Sequence, residues 1–291
     1  MKRPEIVAEI GCNHKGEIEI AKEMIKMAAI FCKADYVKFQ KRTNKELLPP
    51  EQYNAPHPNP VNSFGATYGE HREYLEFDPA THRELQRTCA EFGIGYSTSV
   101  WDVTAAREML ALDPPILKVP SATNTNFDVL GVLCDDFGGQ IHVSLGMTTR
   151  AEAEQIVTFL DRRGRARDTV LYACTSGYPV AFEDLCLGEI SRLRAAYGDT
   201  VAAIGFSGHH LGIAADMAAL TLGAQWIERH FTLDRTWKGT DHAASLEPDG
   251  LRRLVRDATA VTAALGEKPT ELLDVEQPQR EKLKAMSLTA S

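Results

Sequence analysis

Short apolar runs recur eight times along this chain, each followed by a longer stretch with helical spacing, and that alternation restricts the fold more than any other property of the sequence. The runs are Glu5–Ile10, Asp35–Gln40, Ile94–Ser99, Ile116–Pro120, Gln140–Ser144, Val170–Cys174, Ala203–Phe206 and Trp226–His230. They are short and nearly continuous in apolar character, as strands covered on both faces must be. The intervening stretches carry one apolar face. Ile18, Ala21, Ile25 and Ala28 share such a face near the start, and Leu251, Leu254, Val255, Ala258 and Val261 share one near the end. Thr149, followed three residues later by Glu152, has the form of a capping box. Strands alternating with helices build parallel sheets, because parallel neighbours need a crossover between them. Eight βα units predict an α/β fold closed into a (β/α)8 TIM barrel, and 291 residues suit one such domain, which typically takes about 250. An open doubly wound sheet would carry a GxGxxG turn after its first strand; Gly11-Cys12-Asn13-His14-Lys15-Gly16 is only a distant echo of one. The expected organisation is a single catalytic barrel over residues 1–268 and a C-terminal extension over 269–291.

One connection is out of proportion. Residues 41–79 separate the second strand from its helix and contain Pro49, Pro50, Pro56, Pro58 and Pro60. A connection of this length in a compact domain is either a lid-like binding element or a solvated insertion. Net charge of −8 argues against a nucleic-acid partner, which calls for a basic stripe. A few cleft lysines can still set a local field that attracts a small anion. The six cysteines are scattered without a CxxC pair, which excludes a zinc ribbon and suits free thiols in a reducing cytoplasm. No segment resembles a secretory signal or a membrane span, so a cytoplasmic location without membrane attachment is expected.

In a barrel of this type the chemistry sits where strands end. Glu9 closes the first run; Lys38 and Gln40 close the second; Ser97 and Thr98 lie in the third. Lys118 and Ser121 follow from the fourth, Ser144 from the fifth, Thr175, Ser176 and Tyr178 from the sixth, and Ser207, His209 and His210 from the seventh. His230 closes the eighth, with Asp241 and His242 in the loop beyond. Two lysines and several hydroxyls on separate strands form a plausible anion cradle, since ammonium supplies charge and hydroxyls donate to phosphate oxygens. A Schiff-base lysine, as in class I aldolases, is the rival chemistry. His209 and His230 on neighbouring strand ends read as ligands of a divalent metal, with His14, Glu9, Asp241, water or substrate completing the sphere. His210 should face away from His209 if the strand continues.

In order along the chain, Ala8-Glu9-Ile10-Gly11-Cys12-Asn13-His14, Val37-Lys38-Phe39-Gln40, Ser97-Thr98, Leu117-Lys118-Val119-Pro120-Ser121, Ser144-Leu145-Gly146-Met147, Cys174-Thr175-Ser176-Gly177-Tyr178-Pro179, Gly205-Phe206-Ser207-Gly208-His209 and Ile227-Glu228-Arg229-His230-Phe231-Thr232 resemble the sialic acid synthase family. The resemblance covers nearly the whole barrel. It implies a transferase that joins phosphoenolpyruvate to an open-chain aldose, of the N-acetylmannosamine kind or a relative, releasing phosphate and forming a 2-keto-3-deoxy sugar acid of the type used in surface polysaccharides. It implies Mn2+ or Mg2+ on His209 and His230, activating the aldehyde as a Lewis acid. It implies phosphoenolpyruvate on Lys38, Thr98, Lys118, Ser121, Ser144, Ser176 and Ser207, with Glu9, Gln40, Tyr178 and Asp241 facing the sugar or moving protons.

The chain departs from the family pattern at three places. Thr123 stands where commoner members have a sugar-facing carboxylate, Ser176 where asparagine is usual, and Gly208 where aspartate precedes the metal histidine. Many relatives add a C-terminal antifreeze-like domain that reaches into the partner subunit's site. Here the sequence stops near the end of the barrel pattern, and the 41–79 insertion is the expected replacement. Relatives commonly pair as homodimers, but no independent sign of assembly is legible. A degenerate barrel that binds a sugar or phosphate without turnover is the non-catalytic alternative. The acceptor aldose is left open, because the departures fall on the sugar side.

Overall fold

The computed structural model describes residues 2–284; residue 1, and 285–291 at the end of the expected C-terminal extension, lie outside the described residues. Eight parallel strands close in sequence order into a barrel. They are β1 (Glu5–Gly11), β2 (Tyr36–Lys41), β3 (Gly95–Val100), β4 (Ile116–Val119), β5 (Gln140–Ser144), β6 (Thr169–Cys174), β7 (Ala203–Gly208) and β8 (Trp226–His230). β1 pairs with β8, which closes the ring without a free edge.

Side chains alternate between the two faces of each strand, and this parity organises the interior. Outward positions such as Ile6, Ala8, Val37, Phe39, Leu117, Val119, Leu171, Ile204 and Ile227 pack into the large apolar layer between sheet and helices. Inward positions form a second, smaller cluster of Val7, Ile116, Val170, Tyr172 and Trp226 that fills the barrel from below. Above that plug the inward positions become polar: Glu9, Lys38, Lys118, Ser144, Ser207, Glu228 and His230 are all buried. The plug keeps water out beneath these charges, so they interact in a medium far less polarisable than water.

The 41–79 connection is folded rather than a solvated loop. It contains short helices at Asn44–Leu47, Pro50–Asn54 and Tyr68–Tyr74 and a 3-10 turn at Pro60–Asn62. Thr67 and Glu70 cap the third helix reciprocally. Gly69 allows that helix to lie against the Tyr53 ring, since a Cβ there would approach the ring to 2.5 Å. The insertion also reaches the loop after β8. The Gly239 amide donates to Asn62 Oδ1 at 3.4 Å, and Lys238 Nζ lies 4.8 Å from the Phe64 ring centroid. After the last barrel helix, Pro248–Ala264, the described part of the extension carries a 3-10 turn at Asp274–Glu276 and a short helix at Gln277–Leu283.

Candidate active site

A cavity of about 410 Å³ opens at the C-terminal ends of the strands. Its floor is a buried chain of four charged groups. Lys38 Nζ pairs with Glu9 Oε2 and donates to Ser99 Oγ at 2.8 Å. Glu228 Oε1 lies 2.7 Å from Lys118 Nζ and 3.7 Å from Lys38 Nζ. Lys118 also rests 4.3 Å above the Tyr172 ring centroid, so the plug contributes a cation–π contact. Burial opposes every charge in this chain, and the neighbours decide the outcome. For Glu228, burial is outweighed by Lys118 and then Lys38, which hold the carboxyl down to about 2. Burial pushes Glu9 up, and the pull of Lys38 only partly reverses it. For Lys38, burial is outweighed by Glu228 and Glu9, and its pKa is raised; Lys118, whose pairing with Glu228 does not offset burial, is lowered. The floor is thus two cations and two anions in close register, nearly neutral in sum.

Hydroxyls rise from the floor on β3 to β7. Ser99, Ser121, Ser144, Ser176 and Ser207 all line the cavity. Gly146 gives two of them room: a Cβ at that position would sit 2.5 Å from Ser176 Oγ and 2.7 Å from Ser121 Oγ. Its amide donates to Ser121 Oγ at 3.0 Å. Bare backbone between two hydroxyls, with Lys118 on the adjoining floor, is a surface suited to phosphate oxygens.

The two histidines stand beside this cradle, their ring centroids 5.3 Å apart. His209 donates from Nδ1 to the Thr175 carbonyl at 2.9 Å, which fixes the ring and leaves the Nε2 lone pair free. Burial lowers its pKa to about 3, so the imidazole is neutral and able to ligate. His230 Nδ1 is buried without a hydrogen-bond partner, and Asp241 Oδ2 lies 3.8 Å from it. Tyr178 covers the pair, its ring centroid 4.3 Å from that of His209 and 5.7 Å from that of His230. Gln40 Nε2 donates to Glu9 Oε1 at 3.2 Å. Among the described residues no group of three or more His, Cys, Asp or Glu is gathered as a metal cage. The donor set is therefore two imidazoles with open positions for water or substrate oxygens, a set that suits a hard-to-borderline divalent ion.

Most of the sequence-derived site residues meet in this one cavity; Ser97, Thr175, His210 and His242 are not among its lining residues, and neither are Thr98, Thr123 and His14. Thr98 faces the helical layer: it is fully buried, pairs in register with outward Phe39 and Leu117, and its hydroxyl has no partner in the mouth. Parity puts Ser99 inside instead. Thr123 does not line the cavity, and its Oγ1 is buried without a hydrogen bond, so the expected sugar contact is not formed by this side chain. His14 stacks on Phe77 with centroids 4.0 Å apart and accepts the Gly16 amide on Nδ1 at 3.0 Å, which makes it a packing histidine rather than a third ligand. His210 does face away from His209, accepting from Arg229 Nη1 at 3.0 Å in the outer layer. All six cysteines are free.

The sequence reasoning passed over Glu228, although it lies two residues before His230 and therefore shares its face. It expected the 41–79 insertion at the pocket without naming which of its residues reach it. Arg42, His57, Tyr68, His71, Arg72 and Leu75 line the cavity, and Trp101 joins them from the end of β3.

A family model described as the NeuB family matches residues 24–270. The chain belongs to the NeuB family. Among its relatives is the N-acetylneuraminate-9-phosphate synthase of Homo sapiens, 40% identical over 283 residues that cover 96% of this chain and 76% of the relative. The N,N'-diacetyllegionaminic acid synthase of Campylobacter jejuni is 32% identical, over 92% of this chain and 79% of that one. Among solved structures, an N-acetylneuraminic acid synthetase from Leptospira borgpetersenii superposes with a TM-score of 0.81 at 28% identity, covering 98% of this chain and 94% of the other. These relatives are carbon–carbon bond-forming synthases of sugar acid biosynthesis, and this NeuB-family chain is an enzyme of that transferase type.

Proposed function

We propose that this enzyme condenses phosphoenolpyruvate with an open-chain aldose of the N-acetylmannosamine type, producing a nonulosonic acid and inorganic phosphate, with a divalent metal on His209 and His230. The observation that carries it is the convergence, in one cavity, of the Gly146 hydroxyl cradle, the Lys38–Lys118 floor and the paired imidazoles. Bound metal would supply Lewis-acid activation of the aldehyde. Lys118, Ser121, Ser144, Ser176 and Ser207 orient phosphoenolpyruvate through its anionic oxygens, and Lys38 with Ser99 holds the opposite side of the same ligand. Carbon 3 of phosphoenolpyruvate attacks the aldehyde carbon, whose oxygen takes a proton and becomes a hydroxyl. Water adds at carbon 2 and gives up one proton; the resulting carbon 2 hydroxyl then passes its proton to the departing phosphate as the carbon 2–phosphate oxygen bond breaks and the 2-keto group forms. Glu9, whose carboxyl burial pushes up, and Asp241 beside His230 are the groups placed to accept and return these protons. Tyr178 and Gln40 position the sugar over the histidines.

A class I aldolase would need a free amine, whereas both lysines are held as members of ion pairs. No described helix is long and apolar enough to cross a membrane. A cytoplasmic site of action would meet the supply of phosphoenolpyruvate. The test is phosphate release across a panel of aldoses. It should require phosphoenolpyruvate, an aldose and Mn2+ or Mg2+, and the His209→Ala, His230→Ala double variant should abolish it. Metal-dependent turnover surviving in that variant would overturn the metal assignment, and borohydride trapping of a covalent adduct would favour the aldolase instead.

A further inference from the structure

We infer that Asn13, acting through Ser245, is a positioning residue that holds Asp241 against His230. This rests on the synthase function proposed above, in which Asp241 moves protons, and adds the device that fixes where that carboxylate stands.

The chain leaves β8 at His230, runs through residues 231–247 and returns to the same strand end before the last barrel helix. The two ends of this loop are stitched together. The Thr232 amide donates to the Leu246 carbonyl at 3.0 Å, and the Leu246 amide donates to the His230 carbonyl at 2.8 Å. Across the loop, Thr232 Oγ1 lies 2.7 Å from His242 Nδ1, and Arg235 Nε donates to the Ala243 carbonyl at 3.1 Å. These bonds brace the loop against itself, so it behaves as one body. They do not fix that body to the facing turn of the barrel mouth.

Asn13 does. It sits in the turn after β1, where its backbone amide donates to the Ile10 carbonyl at 2.8 Å. Its Nδ2 carries two hydrogens and places them on opposite ends of the β8 loop, on the Phe231 carbonyl and on Ser245 Oγ, both at 2.9 Å. The Ser245 hydroxyl, having accepted there, donates its own hydrogen to the Asp241 carbonyl at 2.7 Å. Asn13 is 2% exposed and Ser245 3%. Water does not compete for these bonds, and breaking one strands a buried polar group.

The Asp241 carboxylate needs such support, because little holds it directly. Thr240 Oγ1 donates to its Oδ1 at 2.9 Å, but Thr240 is the adjoining residue and moves with it. Oδ2 stands 3.8 Å from His230 Nδ1, beyond hydrogen-bond length. The place of the carboxylate is therefore set by its backbone. Two groups hold the Asp241 carbonyl: the Ala244 amide at 3.2 Å, which belongs to the same loop, and Ser245, which leads out of the loop to Asn13. Contacts at the loop's tip are softer. They are a 3.4 Å hydrogen bond to Asn62, Lys238 over the Phe64 ring and Lys15 over the Trp237 ring. β1 also carries Glu9, the other carboxylate placed for proton transfer. Tying Asp241 to the turn after β1 sets the two carboxylates in one frame.

The experiment measures phosphate release by wild type, Ser245→Ala, Asn13→Asp, Asp241→Asn and the double variant Ser245→Ala, Asp241→Asn. A catalytic group misplaced by about 1 Å can cost about 100-fold, so Ser245→Ala should lower kcat by about that factor. Asn13→Asp keeps the shape of the side chain but, ionised, accepts where Asn13 donates. It should draw the Ser245 hydrogen away from Asp241 and lower kcat at least as far. The KM for phosphoenolpyruvate should hold in both, because neither residue lines the cavity. In the Asp241→Asn background, Ser245→Ala should cost nothing further in kcat, since residues that act through one group are not additive. A second arm needs no turnover. Arg235 and Lys238 are exposed on the loop, and trypsin should cut after them about tenfold faster in Ser245→Ala than in wild type, the worth of one buried hydrogen bond. Failure of every aldose to react would defeat the synthase function, while faster loop cleavage in Ser245→Ala and Asn13→Asp would still support the pinning. An undiminished kcat in Ser245→Ala, a further loss on adding it to Asp241→Asn, a KM for phosphoenolpyruvate that rises as kcat falls, or cleavage that is unchanged or raised equally at every site would each overturn it.

Discussion

The floor and the β2–β3 wall of the cavity both carry buried cations, and they differ in one of them: Arg42 on the wall is paired with Glu76, as the floor lysines are with their carboxylates, but Arg72 is not. On the floor each ammonium is answered by a carboxylate from a neighbouring inward position, Lys38 by Glu9 and Lys118 by Glu228. On the wall Arg72 faces no carboxylate among the described residues. The floor can be built before any ligand arrives, because its charges cancel within the protein.

Removing one side of a floor pair is the severest way to break this contrast. Lys118→Met leaves Glu228 with the more distant Lys38, and stability should fall by about 3–5 kcal/mol, the usual consequence of stranding a buried charge. Turnover should disappear with it. The double variant Lys118→Met, Glu228→Leu should recover most of the melting temperature and none of the turnover. Equal melting of the single and double variants would show that the floor charges are not coupled.

The cradle tests parity along β3 with a smaller effect. Ser99→Ala removes the hydroxyl on Lys38 and should raise the KM for phosphoenolpyruvate by about tenfold, the worth of one charge-assisted hydrogen bond. Thr98→Val and Thr123→Val replace hydroxyls that have no partner, so kinetics should stay within about twofold and stability should hold or rise slightly. A large change in KM from Thr98→Val would return that residue to the mouth.

The weakest effect lies beneath the floor. His142 accepts from the Tyr172 hydroxyl at 2.9 Å and lies 2.9 Å from Gln140 Oε1, so its neutral form is satisfied. Burial, then Lys118, lowers its pKa to about 3. Above pH ~6.5 both folded and unfolded states hold it neutral, and it contributes no pH dependence. Below that, the unfolded chain takes a proton that the folded one refuses, so stability should fall as pH drops toward the folded value, by at most about 1.4 kcal/mol per unit. Denaturant midpoints at several pH values should therefore be flatter in His142→Gln than in wild type on the acid side.

The strand count was legible because covered strands have to be apolar, and seven of the eight polar strand-end positions that matter most here, Glu9, Lys38, Lys118, Ser144, Ser207, His209 and His230, stood out against that background. Glu228 was legible in principle by its spacing from His230. Thr98 was misplaced because Ser97-Thr98-Ser99 offers hydroxyls on both faces, and a strand turned by one residue exchanges inside for outside. His14 carried no local sign that Phe77, far along the chain, would stack on it.

What the sequence determined by itself was the barrel, the ring of polar strand ends and the pairing of two histidines, since these follow from periodicity and a short-range alternation. Only the tertiary structure decided which carboxylate answers which lysine, and that of two neighbouring arginines from the insertion Arg42 is answered by Glu76 while Arg72 has no carboxylate partner among the described residues. Those relations join residues on different strands and in a non-periodic insertion. Burial and charge compensation are properties of where chains meet in space, and no spacing along one chain encodes them.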